Sequence, residues 1–573
     1  MPVLNSDIAR SLDKLADLIE LEGGNPFRIR AYRNAARVVG ELPRSVLAIT
    51  AAGEDLAELP GIGKDLAEKI ETLAATGHIA VLDEMEQKTP PGLLGLLDVP
   101  GLGPKRVRAL YERLRIRGVA DLIATAKAGK IRDLPGFGAK TERRILEEAE
   151  KRAAVAPRIK RPVAEEVAEP LLRYLRAGTG VRQAAVAGSY RRRKETVGDL
   201  DIIVAAPARA GVIDRFVAYE DVVQVLARGP TRSSVLLKNG MQVDLRVVSE
   251  ANYGAALMYF TGSKAHNIAL RGIAAGRGLK LNEYGLFEAA HRVAGHTEDE
   301  VYRYLGLPYI EPELREDHGE IEAARQGKLP HLVRLADIRG DLHAHTTESD
   351  GRGSLAEMAQ AARERGYAYL AISDHSKRVT VAHGLDARRL ARQIDEIARL
   401  NETLSDLVVL SAVEVDILED GSLDLPDSVL ARLDFAVGAV HSAFDLPREK
   451  QTARLLKAMD NRHLAVLAHP TGRLIDERQG VDLDIERVLA GARERGVAFE
   501  VNGQPERLDL NEWHCNLAKD IGVKLAVSTD AHSTAELGFM RFAVDQARRG
   551  WLEAGDVINT RDLAGLKASL RRA

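Results

Sequence analysis

The chain has 573 residues, 45% hydrophobic and 29% charged, with a formal net charge of −3. That is a globular composition too long for one hydrophobic core, so about three to five domains are expected, and no apolar run reaches the ~20 residues of a bilayer span. The single cysteine, Cys515, excludes an internal disulfide and cysteine zinc ribbons, and reads as a packed side chain in a reducing compartment. The amino terminus carries acids and no apolar h-region, so neither a signal nor a transit peptide is read, and a cytoplasmic location is expected.

The first 160 residues read as helices broken by Gly-Pro turns, with 3.6-residue apolar spacing over Ile8 to Leu21 and Leu66 to Leu73. Leu59-Pro-Gly-Ile-Gly-Lys64, Val99-Pro-Gly-Leu-Gly-Pro104 and Leu134-Pro-Gly-Phe-Gly-Ala139 each precede a helical stretch and form an internal repeat. The segment from Gly101 to Arg161 holds ten more basic than acidic residues, despite the acidic total. In this repeat the glycine pairs Gly61 and Gly63, Gly101 and Gly103, and Gly136 and Gly138 leave backbone amides free at a helix start, a site for DNA phosphates. One such turn could be an ordinary helix connection; three, two of them in basic sequence, resemble helix-hairpin-helix motifs, which grip DNA strands without reading bases.

A mixed α/β domain begins near Val181, with strand-like runs Ala184 to Val186, Asp201 to Ala205 and Gln242 to Val248. Within it stands Gly188-Ser-Tyr-Arg-Arg-Arg-Lys-Glu-Thr-Val-Gly-Asp-Leu-Asp201. On a strand, Asp199 and Asp201 share one face, and Asp244 in the neighbouring run supplies a third carboxylate. Three such carboxylates suit two hard divalent cations, Mg or Mn, clamping a phosphoryl transfer, with the Gly188-Ser189 turn and the arginines after it on a triphosphate. The bland alternative is a turn followed by a solvated charge run.

These elements resemble the nucleotidyltransferase core of family X DNA polymerases, and Tyr259-Phe-Thr-Gly-Ser-Lys-Ala-His-Asn267 extends the likeness. The resemblance implies that Tyr259, Phe260 and Gly262 line the sugar pocket, that Asn267 and Arg271 face the nascent pair, and that Ser189 and Arg192 bind phosphates. Asn25-Pro-Phe-Arg-Ile-Arg-Ala-Tyr-Arg33 resembles the family's amino-terminal lyase domain, so the likeness covers residues 1 to about 315. Lys69 matches that domain's Schiff-base lysine, but Asp65 stands where the animal enzymes carry a phosphate-binding lysine, and a solvated helix lysine is the alternative reading.

After Ile338 short apolar runs alternate with helical stretches, the pattern of a (β/α) barrel. His343 and His345 share a face, and Asp350, His375, Glu414, His441, His469, Asp530 and His532 fall at the ends of later runs, where such a barrel gathers its site. Mixed imidazole and carboxylate ligands suit Mn, Zn or Fe better than Mg alone. The set resembles the PHP (polymerase and histidinol phosphatase) family, which implies a barrel related to a seven-stranded one, three metals, and Mn-stimulated 3′-5′ exonuclease activity, as in bacterial family X polymerases.

The expected division is a lyase-like helical domain (1–85), helix-hairpin-helix fingers (86–160), a nucleotidyltransferase palm (161–248), a thumb (249–315), a linker (316–337) and a PHP domain (338–573). The expected function is gap-filling synthesis in base-excision or end-joining repair, with 3′-end processing by the barrel. Gapped or nicked DNA and dNTPs are the expected partners of a monomer associated with the nucleoid. Two rivals are a small-molecule phosphatase joined to a non-catalytic DNA module, and a non-enzymatic DNA-end scaffold.

Overall fold

A computed structural model describes residues 5–40, 46–51, 55–59, 62–76, 78–89, 93, 96–97, 99, 101–154, 158–207 and 210–570. The chain divides into two compact units, Met1–Pro157 and Arg158–Ala573. No helix among the described residues is long and apolar enough to cross a membrane.

The first unit is helical. In Asn5–Leu21 the apolar residues Ile8, Leu12, Leu15, Leu18 and Ile19 recur at helical spacing and are buried, facing Tyr32, Ala35 and Val39 of Pro26–Gly40. Burying each such leucine stabilises the unit by about 1.5–3 kcal/mol. The turns of the repeat share one geometry: the amides of Ile62, Leu102 and Phe137 donate to the carbonyls of Leu59, Val99 and Leu134. Helices Lys64–Thr76, Pro104–Leu114 and Ala139–Ala154 then begin.

The second unit opens with a five-stranded sheet in the order Gln183–Val186, Asp199–Ala205, Gln242–Val248, Arg232–Leu237, Val222–Arg228. Asp199–Ala205 runs parallel to Gln242–Val248 and every other pairing is antiparallel. Helix Arg161–Arg176 covers it, burying Leu171, Leu172 and Leu175 in the same cluster as Leu200, Ile202 and Leu245. Helices Tyr253–Thr261 and Lys264–Gly276 lead to a three-stranded antiparallel sheet over Leu279–Asn282, Gly285–Glu288 and His291–Ala294.

The last 230 or so residues close into a barrel, as the domain-length alternation of strand and helix predicts. Strands Gly340–Asp341, Tyr369–Ile372 and Val408–Ser411 pair in parallel, as do Glu414–Asp416, Ala436–Ala439, Leu464–Leu467, Ala498–Asn502 and Leu525–Ser528. The two sheets join because Val408–Ser411 and Glu414–Asp416 are one interrupted strand position, and the His375–Glu414 and Ala344–Ala531 bridges link the edges. The result is seven parallel positions in chain order.

The segment 316–337 is packed rather than loose. Glu320 is fully buried against His266, the Val333 amide donates to the Leu552 carbonyl at 2.9 Å, and the His331 amide donates to Glu553 at 2.8 Å. Glu316 of the same segment pairs with Arg192 at 3.0 Å.

Candidate metal centres and nucleotide cleft

The barrel strands are almost wholly buried, and most of the site's polar side chains gather at their ends. His343 and His345 follow the first strand, His375 the second, His441 the fourth, His469 the fifth, and Asp530 and His532 the seventh; Glu414 lies within the third position and Asp350 in the first loop. Three overlapping sets of ligand atoms lie within 4.8 Å of one another: His345, Asp350, His375 and His532; His343, His345 and Asp530; and His375, Glu414 and His441. His469 joins them with its Nε2 2.8 Å from Glu414 Oε1.

The spacing fits cations. Ligands about 2.1 Å from a tetrahedral ion stand roughly 3.4 Å apart. His343 Nε2 is 3.5 Å from Glu414 and 3.6 Å from Asp530, and His345 Nε2 is 3.7 and 3.1 Å from the same two carboxylates. His441 Nε2 is 3.2 Å from Glu414, and Asp350 is 3.5 Å from both His375 and His532. His343 Nε2 and His345 Nδ1 are buried without a hydrogen-bond partner, which is costly unless something else satisfies them. Two ligands, His469 (φ +26°) and Asp530 (φ +54°), hold left-handed backbone conformations, a strain typical of functional sites.

The field is also that of a cation site. Burial pulls the His343 and His375 imidazoles down, but Glu500, Asp530 and Glu414 around the first and Glu414 and Asp350 around the second outweigh it and hold both well above the usual range. His532, opposed by burial and favoured by Asp350, is pushed up to about 9. Carboxylates that favour a protonated imidazole also favour a cation in the proton's place, with the imidazole then neutral.

Sequence reasoning missed the groups that aim these ligands. Glu500, fully buried, accepts from His343 Nδ1 at 2.7 Å and from the His469 amide at 2.8 Å. Asp416 faces His441 Nδ1 at 3.0 Å, and the Asp530 carbonyl faces His532 Nδ1 at 2.8 Å. Asp374 accepts from the Thr346 amide and hydroxyl at 2.7 and 2.6 Å, fixing the loop beyond His345. The available signal was a lone acid inside an apolar strand, as in Phe499-Glu-Val501.

In the palm, Asp199 and Asp201 lie on one strand and Asp244 stands directly opposite Asp201 on its parallel neighbour. Gln242 donates to Asp244 Oδ2 at 2.8 Å and the Ser234 hydroxyl bonds Oδ1, which orients that carboxylate. Burial, then the nearby Asp199 and Asp244, push Asp201 up to about 7, and burial and Asp244 raise Asp199. Crowded acids that resist ionisation are what a divalent cation relieves. The palm acids are less tightly gathered than the barrel ligands, since the close sets among the described residues all lie in the barrel.

Gly188, at φ +62°, begins a short helix whose backbone abuts the acids: a Cβ there would stand 2.9 Å from Asp201 Oδ2. Ser189 lies in that turn. Arg192 Nε pairs with Glu316 at 3.0 Å and its Nη1 donates to the Thr261 carbonyl beside Gly262. Arg191 pairs with Glu298 and Arg193 with Asp545, so the run Arg191–Lys194 is not a solvated face. Tyr259 and Phe260 meet edge to face at 5.2 Å, Asn267 Nδ2 donates to the Tyr259 carbonyl at 2.6 Å, and Tyr259 and Arg271 line a cleft of about 600 Å³ with Lys280 and Asn282.

In the first unit Gly101 (φ +93°) and Gly136 (φ +84°) turn the repeat, and a Cβ on Gly63, Gly103, Gly136 or Gly138 would meet open space. Gly61 lies outside the described residues. Lys69 is paired with Asp65 one turn away on the same helix.

Known proteins resemble this chain over nearly its whole length. The chain is 38% identical over 570 residues to the DNA polymerase/3′-5′ exonuclease PolX of Bacillus subtilis, covering 99% of each protein. The chain belongs to the PolX family. It is thus a DNA polymerase of family X with an attached PHP 3′-5′ exonuclease, dependent on divalent metal and binding DNA and dNTPs. The matched models are a helix-hairpin-helix domain over residues 3–79, a SAM-like helix-hairpin-helix tandem over 93–151, the DNA polymerase beta thumb over 256–316 and the PHP domain over 341–502. DNA polymerase lambda of Arabidopsis thaliana is 27% identical over 349 residues, 55% of this chain and 62% of that protein. A Thermoanaerobacter protein described as a probable phosphatase is 28% identical over 242 residues, 40% of this chain and 94% of its own length. PolX membership sets aside the non-catalytic scaffold and the phosphatase with an inert DNA module.

Proposed function

We propose that Asp199, Asp201 and Asp244 hold two divalent cations, Mg or Mn, and carry nucleotide addition, while the nine barrel ligands hold three, Mn, Zn or Fe, and carry 3′-end shortening. Bound cations would neutralise charge at the phosphorus under attack and ease activation of the attacking oxygen. The chain's own residues do the positioning. Asp201 and Asp244 face each other across the parallel pair, Gln242 and Ser234 hold Asp244 in place, and the Gly188–Arg192 turn presents Ser189 and Arg192 to the triphosphate. Tyr259, Phe260 and Gly262 receive the sugar, and Asn267 and Arg271 face the nascent pair.

In the barrel, His343, His345 and Asp530 would hold one cation, His375, Glu414 and His441 a second with His469 beside Glu414, and Asp350 and His532 with His345 and His375 a third. The observation that carries this reading is the convergence on Glu414, whose two oxygens face His343, His345 and His375 on one side and His441 and His469 on the other. Glu414 would help to hold more than one cation.

The helix-hairpin-helix glycines would hold gapped or nicked duplex by its phosphates, so that a monomer in the cytoplasm fills a gap whose 3′ end it can also trim. The six-part division at 85, 160, 248, 315 and 337 goes with this reading. Lys69 remains the candidate for lyase chemistry and would have to leave Asp65 to attack an aldehyde. The test is metal preference on a labelled primer-template. Degradation should be much faster in Mn than in Mg, whereas extension should proceed in either; equal preference in both reactions would contradict two chemically different centres.

A further inference from the structure

The phosphate loop of the palm is gripped from the barrel side. Arg193 holds a left-handed backbone (φ +58°), and its guanidinium pairs with Glu313 at 2.8 Å and with Asp545. Asp545 also pairs with Arg161 at the start of the palm's covering helix and is 5% exposed. One residue earlier in the loop, the Arg192 carbonyl accepts from Arg549 Nη1 at 2.6 Å. The same guanidinium reaches Glu316 at 3.3 Å and Glu512 at 2.9 Å, and Lys194 stands 3.7 and 3.9 Å from those carboxylates. Asp545 and Arg549 belong to one barrel helix, Met540–Arg549, which packs on strand Leu525–Ser528.

We propose that Asp545 and Arg549 are positioning residues for nucleotide addition, through which the barrel holds loop Gly188–Lys194 in its nucleotide-binding shape. This rests on the reading of that loop as the triphosphate site. The reason is preorganisation. A non-glycine residue in the left-handed region, flanked by long basic side chains with many rotamers, does not keep one conformation unaided. Asp545 and Arg549 fix it at a side chain and at the backbone, and the loop's other end lies against Asp201. Released from the helix, the loop would take its ordering cost from dNTP binding, so the loss falls on KM rather than on the chemical step. The dependence is on the barrel's body and not on its metal centre.

The test is steady-state single-nucleotide extension by the full chain. Asp545→Asn, which keeps side-chain volume, and Arg549→Gln should each raise the dNTP KM about tenfold, the effect of losing one charge-assisted bond, with a smaller change in kcat. Arg549→Lys, which keeps a donor for the Arg192 carbonyl, should recover most of that. Melting temperature and Mn-dependent 3′ shortening by the same preparations report on the fold. Arg193→Met should raise KM by itself, and adding Asp545→Asn to it should cost less than Asp545→Asn costs alone, because the Arg193–Asp545 pair is already gone and only the bond to Arg161 is left to lose. A dNTP KM within twofold of wild type in Asp545→Asn and Arg549→Gln, or fully additive effects of Arg193→Met and Asp545→Asn, would overturn the proposal. Asp199→Ala separates the two levels: if it leaves extension intact the palm reading has failed, and if it abolishes extension while KM stays unmoved in the helix variants, only the positioning role is wrong.

Discussion

Replacing Glu500 by glutamine tests whether the barrel is a metal site aimed by its surroundings. Glu500 touches no proposed ion; it holds His343 through Nδ1 at 2.7 Å, which leaves Nε2 facing Glu414 and Asp530, and it accepts the His469 amide at 2.8 Å. Glutamine keeps the shape and one acceptor but removes a fully buried charge beside two ligands. Loss of such an outer partner weakens metal binding by about 10–100-fold. That corresponds to about 1.4–2.8 kcal/mol at tenfold per 1.4 kcal/mol. The assay is the rate of 3′-end shortening against free Mn concentration, with Mg-dependent extension by the same preparation as reference. The half-saturating Mn concentration should rise within that range while extension stays unchanged. An unshifted Mn curve from a protein of normal melting temperature would refute the idea that Glu500 aims His343 at a cation.

Other consequences follow from the same geometry. Below about pH 7 a proton should compete with the palm cations, because burial and the neighbouring Asp199 and Asp244 raise Asp201 to about 7; the Mg concentration that half-saturates extension should therefore increase as pH falls from 8 to 6, and a pH-independent value would contradict it. A carboxylate with a raised folded pKa loses stability as pH rises from its unfolded value through the folded one, so in chelator at pH 8 Asp201→Asn should melt above wild type, by calorimetry. Changing Gly101 and Gly136 to valine forces a β-branched residue into left-handed backbone and blocks phosphate approach; DNA affinity measured by anisotropy should drop equally for unrelated sequences, and a sequence-dependent loss would contradict a backbone grip.

Both sites were legible because their chemistry is periodic. The i, i+2 spacing of Asp199 and Asp201 places them on one strand face, and a barrel collects ligands at strand ends, so Glu414 could be assigned without knowing what it touches. Strands Val222–Arg228 and Arg232–Leu237 went unread: the first is largely exposed and the second alternates, so neither shows the continuous apolar run that marked the barrel. The three short thumb strands were hidden for the same reason, each mixing exposed and buried positions. Glu500, Asp416 and Asp545 act on partners 25 to 384 residues away, which no local pattern encodes. Arg192 was legible as a residue of the nucleotide loop but not as one already paired with Glu316.

Two independent metal centres in one chain should answer separately to mutation. The most direct measurement follows a 5′-labelled primer-template in Mn, with and without dNTPs, for Asp199→Ala/Asp201→Ala and His343→Ala/His345→Ala variants of verified melting temperature. The first should lose extension and keep shortening, and the second should lose shortening and keep extension. If the well-folded histidine variant shortens 3′ ends at the wild-type rate, or either variant loses both activities equally, the assignment of separate centres is contradicted.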